Sequence, residues 1–165
     1  MPSTESPIVP IIMGSKSDLP FAQRIAAALL DFGLSAELRI ASAHKSPRHL
    51  LEMLAAYEGD SRPKVYVTVA GRSNALSGLV DAQVTAPVIA CPPYSEKFGG
   101  MDLLSSLRMP SGVAPAVVLE PEAAALLAAK MLALHDPGLR ERIAAAQRMG
   151  REKLVADDAS LLVEG

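Results

Sequence analysis

Four short polar stretches interrupt an otherwise aliphatic chain, and each carries groups able to hold an anion or move a proton. They are Gly14-Ser15-Lys16-Ser17-Asp18, Ser42-Ala43-His44-Lys45-Ser46, Gly71-Arg72-Ser73-Asn74 and Cys91-Pro92-Pro93. In the first, hydroxyls and backbone N–H groups ahead of a helix suit a phosphate or another anion. Equally, Ser17 or Asp18 simply caps that helix, and Asp18 can also bond a sugar hydroxyl. The G-x-x-x-x-G-K-[ST] spacing is absent, and no G-x-G-x-x-G occurs. In the second stretch, Ser42 or Ser46 can cap the helix that Pro47 opens, and His44 is either a locally bonded loop residue or a proton carrier. An imidazole titrates close to neutrality, which suits proton transfer, and Lys45 and Ser42 beside it are anion ligands on that reading. In the third, Gly71 permits close backbone approach, Ser73 caps a helix or binds substrate, Arg72 clamps an anion or pairs with a carboxylate, and Asn74 bonds a base or a backbone group. Ala75 replaces the second glycine of a G-x-S-x-G hydrolase elbow. The Cys91 thiol reads as a buried strand-end group rather than a nucleophile. His49 lies roughly 140° around a helix from position 44, no second cysteine exists, and no metal site is expected.

The elements that position these groups follow from apolar periodicity. Strands are expected at 8–13, 36–41, 64–70, 87–91 and 114–119, with helices at 18–31, 47–57 and about 73–83 between them. A Gly- and Ser-rich stretch, 99–112, carries a short helix near 102–107. Its Ser105-Ser106-Leu107-Arg108-Met109-Pro110-Ser111-Gly112 run either lines a cleft or joins subunits. A helix at 121–134 is followed by Asp136-Pro137, an N-cap with proline at the first helical position. That last helix is expected to reach about Val155, with Leu139, Ile143, Ala146, Gly150 and Leu154 on one stripe. Strands apolar on both sides, alternating with helices, predict an α/β fold: a flavodoxin-like three-layer sandwich around a parallel sheet. Ligands of such sheets bind beyond the strands' carboxyl ends, so all four polar stretches gather on one edge.

Composition bounds the rest. The chain has 165 residues and a net charge of −2, so no basic surface points to nucleic acid or an anionic membrane. Half of it is hydrophobic but only 4% aromatic, and no apolar run reaches the ~18 residues of a membrane span. Residues 1–7 are expected to be a disordered lead rather than a signal peptide, 8–134 the α/β domain and 135–165 its helical extension. The expected compartment is the cytoplasm, and the expected state a homo-oligomer.

The motifs MGSKSD (13–18), SAHK (42–45), AGRSNALSG (70–78), ACPP (90–93) and SSLRMPSG (105–112) resemble, in register, those of the PurE family of de novo purine biosynthesis. The resemblance covers nearly the whole chain. One branch of that family is a mutase moving a carboxylate from N5 to C4 of carboxyaminoimidazole ribonucleotide. The other joins CO2 directly to 5-aminoimidazole ribonucleotide (AIR), giving 4-carboxy-5-aminoimidazole ribonucleotide (CAIR). The mutase branch typically has SAHR and a third loop with a second histidine. Here Lys45 follows His44, and Arg72-Ser73-Asn74 stands where that histidine segment falls, so the chain resembles the direct carboxylase branch. Lys16 departs from both branches.

The resemblance implies that His44 carries the C4 proton. It implies that Ser15, Asp18, Ser42 and Lys45 hold the ribose phosphate end, with Gly71 and Ser73 on the base or the new carboxylate. Ser17, Arg72 and Asn74 are further candidates. It also implies a reaction on a small ribonucleotide and CO2 without metal, biotin or ATP. The expected assembly is an octamer whose C-terminal helix packs on neighbouring subunits. The alternatives are the mutase and, outside enzymes, a flavodoxin-like nucleotide- or phosphate-binding module.

Overall fold

Ile8–Met13 (β1) is buried along its whole length, as an aliphatic run with helices on both sides must be. The structure is a computed structural model describing residues 6–163, so most of the expected N-terminal lead lies outside the described residues. After β1 come Leu19–Leu30 (α1), Ser35–Ile40 (β2), Pro47–Glu58 (α2), Tyr66–Val69 (β3), Ala75–Asp81 (α3) and Val88–Ala90 (β4). Ala116–Val117 (β5), Pro121–Leu132 (α4) and Pro137–Val163 (α5) complete the chain. The strands pair in parallel in the order β2-β1-β3-β4-β5, the flavodoxin-like sandwich that the alternation predicts.

The pleat sorts strand residues into two cores. Val9, Ile11, Met13, Val67, Val69 and Ile89 face α1, α4 and the start of α5, where Ile25, Leu29, Ala128 and Leu139 close the layer. Ile8, Ile12, Tyr66 and Val88 face the other way, onto Leu50, Leu54, Leu76 and Val80 of α2 and α3. The chain thus leaves β1 on one face to reach β2 and crosses the other face to reach β3. Those two paths open a crevice above the carboxyl end of β1.

Four expectations needed adjustment. β5 is two residues, not six, because Ala114, Pro115, Val118 and Leu119 all stay outside the strand. α3 begins at Ala75 rather than Ser73, since Asn74 caps it, its side chain accepting the Ser77 N–H. Residues 97–106 form 3-10 turns broken at Phe98, Gly99 and Gly100, all with positive φ. α5 continues to Val163: no proline or glycine follows Gly150 within it, and Lys153 pairs with Asp157 one turn on. Its expected start holds, with Asp136 Oδ1 accepting the Leu139 N–H at 2.9 Å. Of the stripe, Leu139 and Ile143 are buried, whereas Leu154 is 70% exposed.

Candidate functional site

A cleft of about 570 Å3 opens at the carboxyl edge of the sheet, within the usual size for a small-molecule site. Ser15, Ser17, Asp18, Ser42, His44, Lys45, Gly71, Arg72 and Ser73 all line it. The loops after β1, β2 and β3 therefore converge there, as the topology requires. Leu76, Pro93, Tyr94, Ser95 and Asp102 complete the walls.

Each loop is held by its own short bonds. After β1, Ser15 Oγ accepts the Ser17 N–H (3.2 Å) and lies 2.9 Å from the Ser17 hydroxyl. Asp18 occupies the N-cap position of α1, but its carboxylate makes no capping bond. It is thus spared for the cleft. Burial raises its carboxyl above the usual carboxylate range, while the Ser15 backbone and the Arg72 charge pull the other way.

After β2, the Ser42 N–H donates to Ser46 Oγ (2.9 Å), and the Lys45 N–H donates to Ser42 Oγ (3.2 Å). Ser46 sits at the N-cap of α2, where its carbonyl accepts the Leu50 N–H at 3.1 Å but its side chain makes no capping bond, the hydroxyl closing this turn instead. The turn presents His44 and Lys45 on its exposed side. Ser42 keeps its hydroxyl hydrogen to donate elsewhere.

After β3, Arg72 adopts a left-handed backbone with φ of 59°, and its N–H donates to Asp102 Oδ2 at 3.1 Å. Asn74 does not line the cleft. It is 4% exposed, and its amide donates to the Ser77 and Ser106 hydroxyls, each at 2.8 Å. Ser77 also bonds Thr68 Oγ1 at 2.7 Å, deeper in the core. Asn74 is therefore a buried helix cap, set one residue behind the cleft wall.

Asp102, Tyr94 and Ser95 are lining residues that sequence reasoning missed. Their sequence signals are Asp102 within the Gly-rich stretch and two hydroxyls directly after Cys91-Pro92-Pro93, beyond the carboxyl end of β4. Cys91 is fully buried, with its thiol pushed up to about 12 by burial and by the charges of Glu120 and Glu122. His49 and His135 lie outside the cleft. Among the described residues no group of three or more His, Cys, Asp or Glu side chains is placed to hold a metal ion, and no helix is long and apolar enough to cross a membrane.

The arrangement gathers one imidazole, two cations, two carboxylates and several hydroxyls around a half-open cleft. Comparison with known proteins gives it a context. A phosphoribosylaminoimidazole carboxylase of Archaeoglobus fulgidus is 57% identical over 151 residues, covering 92% of this chain and 83% of that protein. One from Treponema denticola is 50% identical over 155 residues, covering 94% and 98%. The crystal structure of Treponema denticola PurE superposes with a TM-score of 0.92 at 50% identity, over 94% of this chain and 98% of that one. With residues 8–153 also matching the AIR carboxylase (AIRC) family, the cleft-lining loops fall inside the matched span, and the chain belongs to that family.

Proposed function

We propose that this protein joins CO2 to C4 of AIR, reversibly, to give CAIR in de novo purine biosynthesis, with His44 carrying the C4 proton. One observation carries this reading: of three histidines, His44 alone lines the cleft, facing loops suited to a phosphorylated, polar substrate. The names of the two relatives described above support the same reaction.

The chemistry follows from the substrate. The 5-amino lone pair raises electron density at C4, which attacks the carbon of CO2. A C4–C bond forms, and one C=O electron pair moves onto oxygen as a carboxylate. C4 is then tetrahedral, bearing both hydrogen and carboxylate, and the ring regains aromaticity when the C4–H pair returns to it and the proton leaves to His44. In the reverse direction His44 returns that proton. Ser15, Asp18, Ser42 and Lys45, with Ser17, hold the ribose phosphate end. Gly71 and Ser73, with Arg72 above them, form the wall for the base and the new carboxylate. Catalysis rests on positioning. The reaction so written draws on no metal, biotin or ATP. We place the protein in the cytoplasm as a homo-octamer, its α5 packed on neighbouring subunits.

The test supplies AIR and bicarbonate without the ATP-dependent enzyme that carboxylates N5. CAIR should accumulate. Formation of CAIR only from the N5-carboxylated substrate would replace the carboxylase with the mutase, and binding of AIR without turnover by either route would leave a binding module.

A further inference from the structure

The two serines opening SSLRMPSG both bond the loop after β3. Ser105 Oγ lies 2.9 Å from the Arg72 carbonyl and 2.8 Å from the Asp102 carbonyl, and accepts the Asn74 N–H at 3.0 Å. Three residues earlier in the chain, Asp102 accepts the Arg72 N–H at 3.1 Å through Oδ2. Ser106, buried, accepts from the Asn74 amide. Three backbone groups of residues 72–74 are thus held by side chains from one segment some thirty residues on. Among the described residues, no bond is made by the N–H groups of Gly71 and Ser73, which belong to the residues lining the cleft.

The consequence is conformational. Arg72 sits at a positive φ, where the Cβ of a non-glycine residue crowds its own backbone. A turn of that kind persists only where its surroundings over-determine it. The clamp from 102–106 is that surrounding, and it leaves the two neighbouring N–H groups available for an anion. We propose that Ser105 is a positioning residue: by fixing the turn at Arg72 it holds the Gly71 and Ser73 N–H groups where they bind the carboxylate of CAIR. Ser105 acts through the backbone of residues 72–74 and forms no part of the proton transfer. This proposal rests on the function proposed above.

The experiment compares wild type, Ser105→Ala and Ser105→Thr as full chains. Ser105 is exposed, so either side chain can be accommodated without repacking. In CAIR decarboxylation, Ser105→Ala should raise KM for CAIR about tenfold, while AIR, which lacks the carboxylate, binds within about twofold of wild type. Ser105→Thr should restore KM for CAIR to within about threefold. Amide exchange, read without substrate, should show the Asn74 N–H exchanging about tenfold faster in Ser105→Ala alone. An unchanged exchange rate overturns the clamp. Faster exchange with equal effects on CAIR and AIR, or no rescue by threonine, overturns the positioning role. Failure of the wild-type chain to interconvert AIR and CAIR sinks the proposed function, and this proposal with it, before any substitution is made.

Discussion

His44 stands on a turn whose bonds run between Ser42, Lys45 and Ser46, so its ring can be replaced without loosening the loop. His44→Asn should lower kcat by about 10^2–10^4 while AIR binds within about twofold, measured by steady-state assay and titration calorimetry. Asp18 gives a prediction of opposite sign for stability and function. Because burial raises its folded-state carboxyl pKa, folding favours the protonated form. Asp18 therefore aids stability at acid pH, and that aid is lost as the pH climbs through its raised value. At neutral pH the charge is a cost, so Asp18→Asn should raise Tm by about 1–3 °C, a gain that shrinks as the pH enters the carboxyl range, and should weaken AIR binding. Cys91, with its thiol at about 12, should resist Ellman's reagent at pH 8 in the native protein and react once unfolded. The positions of most such residues were legible, because a polar run at the end of an apolar strand has one place to go in a parallel sheet. Asn74 shows the limit. Its neighbours in sequence line the cleft, but a helix cap bonded to Ser77 and Ser106 lies inside, and that depends on a partner thirty-two residues away.

At the scale of elements, aliphatic runs and 3.6-residue periods marked every strand and long helix, and errors fell where local sequence does not decide. The 97–106 turns are set by three consecutive positive-φ residues and by bonds to Arg72 and Asn74, none of which has a periodic signature. α5 outruns its expected end near Val155 because residues 151–162 are exposed all round and carry no buried stripe to mark the helix. α3 shows how much one residue can hold: Asn74 caps it and joins it to Ser106. Asn74→Ala should cost about 2–4 kcal/mol, through the lost cap and the unpaired Ser106 hydroxyl, read as a lower urea midpoint with an unchanged m-value.

For the whole molecule, α5 is the element that the subunit does not finish burying. Leu154, Val155, Leu161 and Leu162 are each at least 70% exposed. Under the octamer proposed above, light scattering should give about eight times 17.3 kDa, and a chain ending at residue 147 should shift to smaller species. A monomer of the full chain would return those four side chains to solvent and sink the assembly.

The sheet itself constrains how copies can meet. One edge is β5, only two residues long. The other is β2, whose Glu37 and Arg39 both bond the Tyr57 hydroxyl. Short or charged borders of this kind give an incoming strand little to pair with. Edge-to-edge fusion of native sheets is therefore disfavoured, and aggregation on heating should follow unfolding rather than precede it.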